Sequence, residues 1–146
     1  MPSSKASTKM VGRLHVLSPP PGPSNPSQRR LTRNSDDHLL ADFAEQLYEE
    51  RRLRESVFGN AFFGEPAWDI LLDLYISLKR NKLVSVSDAC LASGVPSTTS
   101  LRSLGILTTN GLVERSRDHT DRRRTFVRLT RTGEDLMTAY LRSIAT

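Results

Sequence analysis

Residues 97–130, STTSLRSLGILTTNGLVERSRDHTDRRRTFVRLT, decide how the chain is read. At about 100° per residue, positions 98–110 put Ser100, Leu101, Leu104, Leu107 and Thr108 on one side of a helix. Thr98, Thr99, Arg102, Ser103, Ile106 and Thr109 fall on the other. An outer face of small hydroxyls and one arginine suits a DNA major groove, where bulky or acidic side chains would be excluded. An ordinary solvated face is the plainer alternative. Gly105 should weaken this helix by about 1 kcal/mol relative to alanine, unless close backbone approach to a partner requires it.

The flanks give the helix a context. Asn110-Gly111 stops it, and Leu112–Arg117 and Arg124–Thr130 then alternate as two strands. The connection 118–123 is too long for a tight hairpin and should project as a wing. Upstream, Ser87 is expected to cap a two-turn helix from Asp88 to Ser93, stopped by Gly94 in a left-handed conformation. Val95-Pro96 turns the chain and Ser97 caps the next helix. Helix, tight turn and helix make a helix-turn-helix pattern.

Further from this centre, Pro66 opens a helix carrying Trp68, Leu71, Leu72, Leu74, Tyr75, Ile76 and Leu78, the most apolar in the chain and hence the expected core helix. Leu83–Val86 reads as a short strand. Ser35 followed by Asp36 and Asp37 is an N-cap with acids in the first turn. The helix it starts should run to about Phe58, with Leu40, Phe43, Leu47 and Val57 on one stripe. Its middle, Glu49–Glu55, is expected to be mostly solvated, supported by pairs such as Glu50 with Arg54. A long helix ahead of the core suggests a subunit contact. Thr130 should cap a last helix to about Ile144, with Leu136 or Met137, Tyr140, Leu141 and Ile144 on its apolar face.

Residues 1–34 are rich in Ser and Pro, with six Lys/Arg and no acid, and show no periodic apolar pattern. Such a segment cannot bury enough surface to fold alone and reads as a disordered basic tail. It either attracts phosphate without sequence preference or has no function. The layout expected is therefore tail 1–34, N-terminal helix 35–62 for dimerisation, winged helix-turn-helix 63–130 and C-terminal helix 131–146. The fold class is mostly α with a small β-hairpin wing.

The net charge of +5 hides a polarity. Residues 36–73 hold ten acids against three arginines, whereas residues 102–131 hold eight arginines against three acids. One part of the surface repels phosphate and another attracts it. The single cysteine, Cys90, excludes an internal disulfide, fits a reducing cytoplasm and reads as a buried small hydrophobe. No apolar run approaches the roughly 18 residues of a membrane span. There is no Gly-rich phosphate loop, Ser/His/Asp arrangement or metal-spacing motif, so neither an enzyme nor a cofactor is expected. Asp118, His119 and Asp121 lack a fourth ligand and make a poor metal site.

Ser97–Gly133 resembles the winged helix-turn-helix of MarR-type bacterial transcriptional regulators. The matching pieces are the Ser/Thr-rich helix, then Asn110-Gly-Leu-Val-Glu-Arg115, then Asp121-Arg122-Arg123, then Val127-Arg-Leu-Thr-Arg-Thr-Gly133. With the preceding helices the resemblance extends from about Leu39 to the C-terminus. It implies a cytoplasmic, nucleoid-associated homodimer on double-stranded DNA, with one helix in the major groove and a wing arginine in the flanking minor groove. By position, Thr98, Thr99, Arg102 and Ser103 match groove-facing residues, with Ser97 at the helix start. Arg123 matches the wing-tip arginine, flanked by Arg122 and Arg124, and Asp121 matches the acid that holds the wing's arginines in place. Such regulators usually carry charge around Gly105, Ile106 and Thr108, so base preference does not transfer. They also usually end in two long dimerisation helices, so here the 35–58 helix should share the contact with the last one. Trp68, Phe62 and Phe63 admit two readings: a small-molecule effector pocket, as related regulators sometimes have, or plain core packing, which is preferred. The alternative function is a winged-helix module that binds a protein without sequence-specific DNA binding.

Overall fold

The computed structural model describes residues 26–59 and 61–145. The elements in order are α1 (Pro26–Phe58), α2 (Pro66–Lys79), β1 (Val84–Ser85), α3 (Val86–Ala92), α4 (Ser97–Thr109), β2 (Val113–Arg117), β3 (Thr125–Leu129) and α5 (Arg131–Ile144). The chain divides into a unit ending at Asn34 and a unit beginning at Ser35. Of the first, residues 26–34 are helical. The disordered tail expected for 1–34 is thus corrected over those residues, and its remainder lies outside the described residues. The helix starts at Pro26 rather than at Ser35, since proline suits a first helical position and the Gln, Arg and Leu that follow are good helix formers.

Within the second unit, α1 turns Leu40, Ala41 and Ala44 inward, with Phe43, Leu47 and Tyr48 half-buried beside them. Continued at helical spacing, that inward line reaches Arg51 and Glu55, both buried, and leaves Val57 exposed. The stripe therefore does not include Val57, while the segment 49–55 is mostly exposed as expected, with Arg51 and Glu55 as its buried exceptions.

α2 is the centre of the core, as its composition predicts. Ile70, Leu72, Leu74 and Tyr75 are almost fully buried, and Trp68, Leu71, Ile76 and Leu78 are partly so. Ile70, absent from the expected core set, has no exposure at all. The core closes with Leu104 and Leu107 of α4, Val113, Val127 and Leu129 of the sheet, and Met137 and Leu141 of α5. On α5, Leu136, Tyr140 and Ile144 stay largely exposed, so its buried stripe is narrower than expected.

The short strand expected at Leu83–Val86 is β1, which adds a third strand to the wing in the order β1-β3-β2, all antiparallel. Val84 faces Val127, and β2 and β3 pair from Val113 with Leu129 to Arg117 with Thr125. The cap of α3 is Ser85 rather than Ser87. The Ser85 hydroxyl accepts from the Asp88 amide at 3.1 Å, while the Asp88 carboxylate accepts from the Ser85 amide at 3.3 Å. This reciprocal capping box needs an acid three residues after the cap, which Ser87 does not have. Gly94 ends the turn after α3 at φ +67. α4 takes Pro96 as its N-cap, so Ser97 is its first helical residue and its hydroxyl makes no cap bond. Cys90 is half-buried rather than fully buried.

The wing is joined to α5 by a close backbone contact. The Thr130 amide donates to Leu112 O at 3.0 Å, and the Thr130 hydroxyl accepts from the Gly133 amide as the cap of α5. A β-carbon on Gly133 would lie 2.1 Å from Leu112 O. The helix meets the strand there only because residue 133 has no side chain. Gly133→Ala should therefore lower stability by about 1–3 kcal/mol, by overpacking against backbone that has nowhere to move. Urea unfolding measures this, and an unchanged midpoint would refute it.

Candidate nucleic-acid interface

α4 is held from behind and open in front. Ser100, Leu104 and Leu107 are its buried residues. Ser97, Thr98, Thr99, Arg102, Ile106 and Thr109 are exposed, and Ser103 is half-exposed. Leu101, expected on the buried side, is 44% exposed, because the contact arc takes in only the line through 100, 104 and 107. The buried Ser100 hydroxyl is satisfied within the turn, sharing a 2.5 Å hydrogen bond with Ser93 Oγ, which itself donates to Cys90 O. The turn between α3 and α4 is thereby tied on its inner side. Gly105, in mid-helix, has open space where a β-carbon would stand.

The second part of the surface is the loop between β2 and β3. Arg122, Arg123 and Arg124 are all exposed. The loop is shaped by its acids: Asp118 Oδ1 accepts from the Thr120 amide at 2.9 Å and from the Thr120 hydroxyl at 2.7 Å. These bonds hold the Asp118 carboxyl below its usual range. Asp121 Oδ1 accepts from the Arg123 amide at 3.0 Å, and the Arg124 amide returns to Asp121 O. Asp121 thus orients the arginine run through the backbone, and among the described residues it forms no ion pair with a wing guanidinium. The Arg124 guanidinium lies 5.8 Å from the centre of the Phe126 ring.

Between this loop and the start of α3 runs an open cleft of about 630 Å³, lined among others by Ser87, Arg115, Asp121, Arg123 and Arg124. Arg115 belongs to this basic surface although the sequence reading passed it over. Its signal lay in the arginine count of 102–131, where only the loop residues were picked out. Arg128 does not add to it freely, since it pairs with Glu114 directly across the strands. The cleft thus unites Arg123 and Arg124 with Arg115, while Thr98, Thr99, Arg102 and Ser103 form a separate patch on α4.

Of the aromatics weighed as an effector pocket or as core, Phe62 is exposed and Phe63 half-buried, with Phe58 stacked edge-on to Phe63 at 5.7 Å. Core packing does not describe Phe62. Trp68 meets Tyr140 edge-on at 5.3 Å. No described helix is long and apolar enough to cross a membrane.

A helix-turn-helix followed by a β-hairpin, closed by a third strand ahead of the first of its helices, is a specific arrangement. Residues 64–133 match the family described as the winged helix DNA-binding domain. The domain is a winged helix-turn-helix. No curated protein matches the chain. Among solved structures, it is similar to S. aureus MepR in its DNA-binding conformation, at 21% identity over 70% of this chain and 72% of that one, with a TM-score of 0.48. It is also similar to a probable transcriptional regulator from Pseudomonas aeruginosa, at 23% identity over 68% and 71%, TM-score 0.45. A third is a mutant of MarR from E. coli, at 17% identity over 85% and 81%, TM-score 0.45.

One acid of the winged helix sits badly for its charge. Asp73 on α2 is raised from 3.8 to about 6, chiefly by burial and then by the neighbouring Asp88 carboxylate of the capping box. Its folded pKa exceeds the unfolded one, so the stability it contributes is fully present below about pH 4 and is lost as pH rises through about 6. Asp73→Asn should raise stability at pH 8 by about 1–2 kcal/mol, after discounting for the group's partial exposure, with the difference vanishing near pH 4. Parallel denaturation of both proteins across this range checks it; a constant difference would assign the effect to something other than the charge.

Proposed function

We propose that the chain is a sequence-specific transcriptional regulator of MarR type that binds double-stranded DNA as a homodimer. The observation that carries the reading is the pairing of two surfaces on one winged helix: the open hydroxyl and arginine face of α4, and the arginine run held on the wing by Asp121. α4 lies in the major groove, with Thr98, Thr99, Arg102 and Ser103 toward base edges. Its first amides, from Ser97 onward, are unpaired within the helix and suit a phosphate. Arg102 has the fork needed for the two acceptors of a guanine edge, and Ile106 offers a surface to a thymine methyl. Arg123 reaches the flanking minor groove, whose negative potential favours a guanidinium, with Arg122 and Arg124 on phosphates.

Dimerisation is supported by apolar surface left uncovered on the two helices outside the reading head. Leu53, Val57 and Phe58 on α1, Phe62 beyond it, and Leu136, Tyr140 and Ile144 on α5 are all exposed. Leu47, Trp68, Tyr140 and Ile144 share one shallow depression. A second copy is the occupant this reading assigns, since a two-fold pair would set two α4 helices on successive half-sites. On this reading the regulator works in the cytoplasm, with the nucleoid.

Sequences selected from a random duplex pool should be palindromic, with half-sites about one helical turn apart. On the selected duplex, log affinity should fall steeply with log salt. Arg123→Ala should flatten that slope by about one unit, and Arg102→Ala should relax preference at one position of each half-site at a cost of about 1–3 kcal/mol. Failure of the wild type to bind any duplex above background would refute DNA binding and favour a protein-binding module, whereas unchanged variants would refute only the residue assignment. Light scattering at micromolar concentration should give twice the chain mass, and Val57→Glu with Ile144→Glu should halve it; a monomeric wild type would refute the dimer.

A further inference from the structure

The back of the helix-turn-helix is gripped by α1 at the turn itself. Tyr48 Oη donates to Ala92 O, the last residue of α3, at 2.6 Å. One helical turn further on, the Arg52 guanidinium fills the space beside Gly94 that a β-carbon would need: Nη1 would stand only 1.8 Å from such an atom. Gly94 is thus favoured by its φ of +67, and a β-carbon there would have to push the Arg52 guanidinium aside.

The grip is braced from below. Arg52 Nη2 donates to Asp69 Oδ2 at 2.6 Å and to Glu55 Oε1 at 3.1 Å. Asp69 is fully buried on α2 and also accepts from Arg51, whose Nη1 reaches Glu65 at 3.3 Å. The Arg52 guanidinium lies 5.2 Å from the centre of the Tyr48 ring, so the two gripping side chains also support each other. Burial pushes the Tyr48 phenol up, which keeps it a donor. Among the described residues, Arg52 Nε is buried and has no hydrogen-bond partner. The guanidinium links the buried Asp69 at one nitrogen to the Gly94 turn at the other.

We infer that Tyr48 and Arg52 are positioning residues for DNA reading: from α1 they fix the turn after α3, and through it the angle at which α4 is presented. The inference rests on the proposed DNA-binding role of α4. Neither side chain is assigned to DNA. Their effect passes through the carbonyl of Ala92 and the notch at Gly94 on the outer side, where the Ser93–Ser100 bond ties only the inner side.

The test uses the full-length chain and a duplex selected by the wild type. Tyr48→Phe keeps the ring and removes only the bond to Ala92 O. It should weaken binding about fivefold to tenfold while leaving the salt slope and the number of selected half-sites unchanged. Amide hydrogen exchange at Ser93, Gly94 and Val95 should speed up about tenfold, with exchange in α5 unaffected. Arg52→Gln should do the same more strongly. As an independent arm, Gly94→Ala should perturb the unfolding equilibrium at least fivefold less in an Arg52→Ala background than in the wild type, because the displaced guanidinium is then already gone.

A Tyr48→Phe protein with unchanged affinity and unchanged turn exchange overturns the inference. So does one with faster exchange but affinity within twofold of wild type, since the turn would then be held without consequence for reading. A changed salt slope would mean direct phosphate contact and overturns it as well. If the wild type itself binds no duplex, the DNA reading fails first and the positioning role falls with it, whereas wild-type binding with indifferent variants refutes the positioning role alone.

Discussion

Ser100, Leu104 and Leu107 are the constraint on which the rest depends. They anchor α4 to the body along a line so narrow that Leu101, one residue from it, is already in solvent. A helix held on a narrow line presents a wide face, and this one presents hydroxyls, one guanidinium and the bare backbone at Gly105. The burial that stabilises the domain and the exposure that leaves the other face of α4 open are the same fact seen from two sides. α2 supplies the opposing wall, which explains why it is the most apolar helix and why its Ile70, Leu72, Leu74 and Tyr75 are so completely enclosed.

The other surface depends on backbone economy rather than on burial. The wing has only two five-residue strands and a two-residue third one, too little to be stable by itself. It is held at its base by Val113, Val127 and Leu129 in the core, and at its exit by the approach of Gly133 to Leu112. The loop beyond needs only Asp118 and Asp121 accepting local amides to take a definite shape. Among the described residues its exposed arginines form no ion pair, whereas the equally exposed Arg128 is paired with Glu114.

Local signals were legible in the sequence and long-range ones were not. Asn110-Gly111, the alternation of 112–117 and 124–130, the cap at Thr130 and the apolar run of α2 all act within a few residues, and the structure has each of them. Caps were misplaced by one or two residues, at Ser87 for Ser85 and at Ser97 for Pro96, because several Ser residues compete and only the partner at Asp88 decides the first. Arg51 lies in a segment that reads as solvated charge because Asp69, the partner that draws it inward, is on a different helix. Phe62 looked like core because aromatics usually are. The start of α1 at Pro26 was hidden by a composition that signals disorder, although its last residues are good helix formers.

Gly105 closes the account of α4 in a different light. Among the described residues nothing occupies the space where its side chain would stand, and no positive φ demands a glycine there. An alanine would make the isolated helix stiffer and more stable, so the folded chain alone supplies no reason for this residue. What the bare position leaves is a gap at the midpoint of the open face, where the helix backbone can be approached more closely than a side chain would allow.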